Sequence, residues 1–169
     1  MNEETNGVRA RPRSAVPLDA KDRTLLALLS EDATRSYAEL GEAIALSAPA
    51  THERVKRLKR AGAITGTVAK LDGNAIGRPL LAFVHVSTED WGAKGAFLEM
   101  NEEPDVEEVH TVTGDACILM KVRCADAQAL EDLLARIYAI DGVRGTRSFI
   151  ALSTYLERGP QAEADSRSV

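Results

Sequence analysis

The chain of 169 residues predicts an α+β fold in two parts. A three-helix N-terminal unit with a helix-turn-helix layout precedes a ferredoxin-like βαββαβ domain. Three observations carry that reading. Between Leu18 and Gly62, apolar residues recur at helical spacing in three short blocks, each preceded by a residue able to cap it. From residue 80 to 157, alternating and helical patterns follow in the order strand, helix, strand, strand, helix, strand. GNAIGRP, residues 73–79, lies between them with the glycine and proline density of a linker.

Residues 1–17 have no hydrophobic period and carry Arg9, Arg11, Arg13 and two prolines, which predicts a mobile basic arm. The first domain is expected over 18–72. Asp19 is placed to cap the first helix, with Asp22 at the positive end of its dipole and Leu25, Leu28 and Leu29 on one face. Ser36 and Glu39 form an S-x-x-E capping box ahead of Leu40, Ala43 and Ile44. After the short Ala45-Leu46 link, Ser47 caps a third helix that tolerates Pro49 in its first turn and ends near Ala61, with Gly62 as its left-handed terminator. At 100° per residue, Thr51, Val55 and Leu58 share one face, and Pro49, Glu53, Lys56, Arg57 and Arg60 share the other. AITGTVAKL (63–71) reads as a strand pair turning at Gly66 or as one extended strand.

The second domain, 80–157, begins with LLAFVHVS, which puts Leu81, Phe83 and His85 on one face and Ala82, Val84 and Val86 on the other. A weaker helix over 92–102 stops before Pro104. Strands over 106–113 and 116–124 flank Gly114-Asp115, a hairpin signal. Asp126 caps a helix striped by Leu130, Leu133, Leu134, Ile137 and Ile140. A last strand runs over 143–157 with a bend at Gly145, and 158–169 is a polar tail. With both helices on one face of the sheet, the other face is expected to be covered by another subunit.

Charge sets the two parts apart. The chain has a formal net charge of −5, yet five cations, Arg54, Lys56, Arg57, Lys59 and Arg60, fall within seven consecutive positions. Leu18–Gly62 holds seven acids and eight bases, whereas Leu71–Leu156 holds fourteen acids and seven bases. A cationic face on the third helix of such a layout points to double-stranded DNA. No apolar run approaches the roughly 20 residues of a membrane span. The N-terminus lacks the apolar stretch of a secretory signal, and Cys117 and Cys124 lie on one strand where they cannot pair, so a reduced, cytoplasmic setting is expected. No nucleophile elbow, P-loop or H-E-x-x-H motif occurs. His52, His85 and His110 are dispersed, and no metal or cofactor is expected. Gly114-Asp115 admits two roles: a plain turn requiring positive φ, or backbone N–H groups and a carboxylate meeting a small zwitterion.

LDAKDRTLLALL, YAELGEAIALSAPATHERVKRLKRAGAITG, TGDACILMKV and TRSFIALSTYLE together resemble the Lrp/AsnC, or feast/famine, family over about residues 18–157. The resemblance implies a transcription regulator with a winged helix-turn-helix followed by a RAM effector domain. It implies dimers through the RAM sheets and further assembly to tetramers or octamers. The helix-turn-helix becomes Tyr37–Lys56, with Ser47, Pro49 and Ala50 nearest the bases. Arg54, Lys56, Arg57 and Arg60 become phosphate or base contacts, and Glu53 an acceptor for cytosine N4. It implies a small amino-acid effector at Thr113, Gly114, Asp115, Ala116 and Cys117. Here the family's G-D-x-D pattern has Cys117 in place of the second acid, which points away from leucine toward a larger or aromatic ligand, or none. Two other functions stay open beside it. Some relatives are tetrapyrrole (siroheme) decarboxylases, for which His85, His110 and Arg123 are the candidates, and an architectural DNA binder would need no effector.

Overall fold

The computed structural model describes residues 15–89, 94–114 and 117–162. The expected basic arm falls almost wholly outside them, as does the end of the polar tail. The described residues divide into two compact units, one over 15–69 with the segment after residue 155, the other over Lys70–Tyr155.

The N-terminal unit contains α1 (Ala20–Glu31), α2 (Tyr37–Ile44) and α3 (Ala48–Arg60). Each begins at the cap its sequence supplies. Asp19 and Asp22 form a reciprocal capping box on α1, Ser36 and Glu39 do the same on α2, and Ser47 accepts from the Ala50 N–H on α3. These bonds satisfy N–H groups that a helix start leaves without partners. Leu25, Leu40, Ile44, Val55 and Leu58 form the core, with Leu28, Leu29 and Ile64 packed against it.

The C-terminal unit contains β1 (Leu80–Thr88), α4 (Lys94–Glu102), β2 (Val106–Thr111), β3 (Ile118–Cys124), α5 (Ala127–Tyr138) and β4 (Val143–Ile150). The sheet is antiparallel throughout, in the order β2-β3-β1-β4. Alternation places Ala82, Val84 and Val86 of β1 beside Ile118, Met120, Val122 and Cys124 of β3 on one face. There they bury against Met100 of α4 and Leu130, Leu133 and Ile137 of α5. Each fully buried Val, Leu, Ile or Met side chain there contributes about 1.5–3 kcal/mol. Arg136 of α5 clasps Glu103 through Nε and Nη2, at 3.0 and 2.9 Å from Oε2, which ties α5 to the chain leaving α4. Burial raises the pKa of the Cys124 thiol, so it behaves as a small apolar side chain.

The opposite face carries no helix. Leu81, Phe83 and His85 of β1 lie there, with Leu119, Lys121 and Arg123 of β3 and Phe149 of β4 aligned by register. His85 meets Phe149 edge to face at 5.3 Å. Toward β2, Glu107 bridges Lys121 at 3.1 Å and Arg123 at 2.5 Å.

Several boundaries differ from expectation. The 63–71 stretch forms neither a strand pair nor a laddered strand. Its Val68 is 91% exposed, and no strand of the sheet includes it. An extended stretch without a neighbouring strand has nowhere to place its ladder bonds. Within the 73–79 stretch the chain forms a turn. Asp72 accepts from the Asn74 and Ala75 N–H groups, and Arg78 donates its N–H to the Gly73 carbonyl at 2.7 Å while its guanidinium pairs with Asp105. Strand β4 ends at Ile150 because its pairing with β1 runs out at Ala82, after a register shift beside Gly145 as expected.

Candidate nucleic-acid interface

The turn between α2 and α3 fixes how the third helix projects. Ala45 adopts a left-handed φ of 52°. Its N–H reaches the Glu42 carbonyl while the Leu46 N–H reaches that of Gly41 at 2.9 Å, a Schellman closure. Gly41 makes room for this. A Cβ there would sit 2.5 Å from the Leu46 carbonyl oxygen and 3.0 Å from Thr51 Oγ1. Thr51, Val55 and Leu58 are buried, as their spacing predicts, and the Thr51 hydroxyl donates to the Ser47 carbonyl at 3.0 Å. At the other end Gly62, φ 78°, closes α3 with a second Schellman pair: its N–H meets Lys59 and the Ala63 N–H meets Leu58, each at 3.0 Å. Tyr37 of α2 and His52 of α3 stack edge to face at 4.9 Å.

Ser47, Pro49, Ala50, Glu53, Lys56, Arg57, Lys59 and Arg60 are exposed, so one continuous side of α3 faces solvent. Its cations are not equivalent. Arg54, only 22% exposed, turns back to α1 and places Nη1 2.6 Å from Asp19 and 2.7 Å from Asp22. Arg57 sets Nη2 2.6 Å from both oxygens of Asp22. Asp22 is itself 1% exposed. Burial opposes its charge, but hydrogen bonds from Arg57, Arg54 and the Asp19 N–H outweigh that, and its carboxyl is held below the ordinary value of 3.8. Arg54 similarly lowers Asp19 and is itself raised by both acids. Lys56 lies 3.9 Å from Glu53, a loose pair. Lys59 and Arg60 make no ion pair among the described residues. Sequence reasoning gave Asp22 a dipole role only. Its partners lie 32 and 35 positions away, beyond any local pattern.

In the β2–β3 loop, the Val112 N–H bonds the Cys117 carbonyl at 3.1 Å, and the Cys117 N–H bonds Val86 at 3.2 Å. Thr113 and Gly114 are exposed in that loop, with Gly114 at a φ of 114°, the positive region its turn requires. Cys117 packs partly against the core. Asp115 and Ala116 lie outside the described residues. His85 and His110 both flank Leu119 but from opposite sides, and His110 Nε2 lies 2.9 Å from Glu108. Among the described residues, no group of three or more His, Cys, Asp or Glu is placed to hold a metal ion. No described helix is long and apolar enough to cross a membrane.

Comparison with known proteins agrees with both units. Residues 18–59 match the AsnC-type helix-turn-helix domain, and 81–161 match the Lrp/AsnC ligand binding domain. The transcriptional regulator LrpA of Mycobacterium tuberculosis is 39% identical over 141 residues, covering 82% of this chain and 92% of that protein. The structure of Escherichia coli AsnC superposes with a TM-score of 0.80 at 28% identity, over 86% of this chain and 99% of AsnC. A feast or famine regulatory protein from M. tuberculosis, solved with L-methionine, superposes with a TM-score of 0.78 at 36% identity, over 83% of this chain and 96% of that one. With both parts matched in order and most of its length shared with such regulators, the chain belongs to the Lrp/AsnC family of DNA-binding transcriptional regulators.

Proposed function

We propose that α3 enters the major groove of double-stranded DNA as the recognition helix, and that this unit works in pairs supplied by self-association. The observation that carries the reading is the two-sidedness of α3. Thr51, Val55 and Leu58 anchor one face while Ser47, Pro49, Ala50, Glu53, Lys56, Arg57 and Arg60 occupy the other. The exposed N-terminal turn is the part that meets base edges in this motif. Lys56, Lys59 and Arg60 neutralise phosphates, which positions the protein without reading sequence. Arg54, committed to Asp19 and Asp22, serves chiefly to hold α3 on α1.

The C-terminal unit pairs with a second copy over its open sheet face, where Phe83 and Phe149 would otherwise remain in water. Dimers bring two recognition helices to half-sites about one helical turn apart, and tetramers or octamers extend that array. A small amino acid bound beside Thr113, Gly114, Asp115, Ala116 and Cys117 modulates assembly; that the relative above was solved with L-methionine supports an amino-acid ligand. Cys117 in the loop favours an apolar or aromatic ligand over a second charged contact. No catalytic step is assigned. The His85 and His110 expected of a tetrapyrrole decarboxylase are engaged with Phe149 and Glu108 on the open face. The protein acts in the cytoplasm.

The test is binding to a fluorescent fragment of the region upstream of its own coding sequence, across a salt series, with and without pooled amino acids. The expected result is steep weakening with salt, persistence against competitor DNA, and a shift with the pool. Absence of binding at low salt would overturn the reading, and binding that ignores every amino acid would leave the architectural alternative in its place.

A further inference from the structure

We infer that Asp22, a residue of α1 with no exposed surface to offer DNA, is a positioning residue for sequence recognition by α3. The inference rests on the DNA-binding role proposed above and assigns a further member to it. Three observations converge on Asp22. Its carboxylate is almost fully buried, and it receives two guanidinium groups from successive turns of the same helix. Its Oδ2 also accepts the Asp19 N–H at 3.1 Å, so the carboxylate is itself fixed by the capping box that starts α1.

The consequence differs for the two arginines. Arg54 is shared between two acids and mostly covered, so its charge is used inside the unit. Arg57 is bound through Nη2 alone and its side chain is 48% exposed. A guanidinium has five N–H donors in one rigid plane. Holding Nη2 against both oxygens of a buried carboxylate restricts the orientations in which the remaining donors are presented. A free arginine would have to lose that rotational freedom on binding. Asp22 thus performs two tasks through one carboxylate: it sets α3 against α1, and it orients Arg57 for a contact that a mobile cation would make less selectively.

The test separates orientation from simple charge. Duplexes selected from a randomised pool by the wild-type protein serve as specific probes, and shuffled duplexes of equal composition as non-specific ones. Asp22→Asn keeps the size of the side chain but removes its charge. It should lower affinity for the selected duplex about tenfold, the size of one good base-edge contact. Affinity for the shuffled duplex should hold or rise, because the outer face gains a positive charge, and its salt slope should steepen by about 0.9. Arg57→Lys keeps the charge at an exposed position and loses the rigid fork, so it should lose about tenfold in discrimination with little change on shuffled DNA. Parallel loss on both duplexes by Asp22→Asn, tracking a lower melting temperature, would make the residue merely structural. Should that variant fail to fold, Arg57→Lys decides: wild-type discrimination in it would overturn the inference. A pool in which the wild-type protein enriches nothing would overturn the recognition reading itself.

Discussion

The N-terminal unit and the C-terminal unit reach rigidity by different means. Among the described residues, five buried apolar side chains hold the first, against a cluster of twelve buried residues in the second. A core that small leaves little margin once chain entropy is counted. The helical unit supplements it with specific polar devices: two capping boxes, a Ser47 cap, two Schellman closures and the Asp19–Asp22–Arg54–Arg57 cluster. The sheet unit depends on alternation and area, with its inner strands buried and the paired charges of Glu107, Lys121 and Arg123 at one side of its open face. Point changes in polar groups should therefore disturb the first unit more than the second, and loss of apolar volume should be fatal first where the core is smaller.

The largest effect is expected from Leu58→Ala, which removes a fully buried side chain from the smaller core. The loss should be about 2–5 kcal/mol, enough to abolish DNA binding. Self-association of the sheet unit should survive, as sedimentation would report. The equivalent change Leu133→Ala in α5 should lower stability similarly, but of the larger unit, and sedimentation should then change first. Loss of both properties together in Leu58→Ala would show that the two units do not fold independently.

Gly41→Ala comes next. Its new methyl would meet the Leu46 carbonyl at 2.5 Å, a backbone atom that cannot swing aside. A cost of about 1–3 kcal/mol is expected, read as a lower melting temperature of the helical unit with an unchanged sheet unit. Gly66→Ala, with nothing within 4 Å of the added atom, should be silent by the same measurement.

Acid should weaken the helical unit through two named carboxylates. The folded-state values of Asp19 and Asp22 lie below 3.8, through Arg54 for the first, and for the second through Arg57 and Arg54 against the opposing effect of burial. Their contribution is present above that ordinary value and is lost as pH falls through the lowered one. Near-ultraviolet and far-ultraviolet melts below about pH 4 should show helical-unit stability falling steeply, and Asp22→Asn should flatten that fall. A profile identical in wild type and variant would remove Asp22 from the acid response.

The smallest effect is a gain. Ala45 holds a left-handed φ of 52°, which costs an alanine about 1 kcal/mol relative to glycine. Ala45→Gly should raise the melting temperature slightly, offset in part by the greater freedom of glycine in the unfolded chain.

Much of this architecture could be read from the residues because the signals are local. The caps at Asp19, Ser36, Ser47 and Asp126, the terminator at Gly62, and the buried stripe of Thr51, Val55 and Leu58 all depend on neighbours within four positions. The order of elements and the one-sided placement of α4 and α5 follow from periodicity alone. What escaped the sequence depends on distant partners. Whether 63–71 forms a strand is decided by a second strand, which no local pattern can supply, and the pairing of Arg78 with Asp105 spans 27 positions. The cationic block was legible as a DNA-facing charge but not in the unequal engagement of its arginines. Helical spacing put Arg57 outside with Lys56 and Arg60, and gave no hint that Asp22 holds it together with Arg54.

The central claim is that the outer face of α3 is where DNA is bound, and the salt dependence of affinity tests it most directly. Lys56→Gln, Lys59→Gln and Arg60→Gln combined leave the buried stripe and the Asp22 cluster untouched. The log–log slope of affinity against salt should flatten by about 2.7 relative to wild type, with melting unchanged. An unaltered slope in a folded triple variant would place the DNA elsewhere on the molecule.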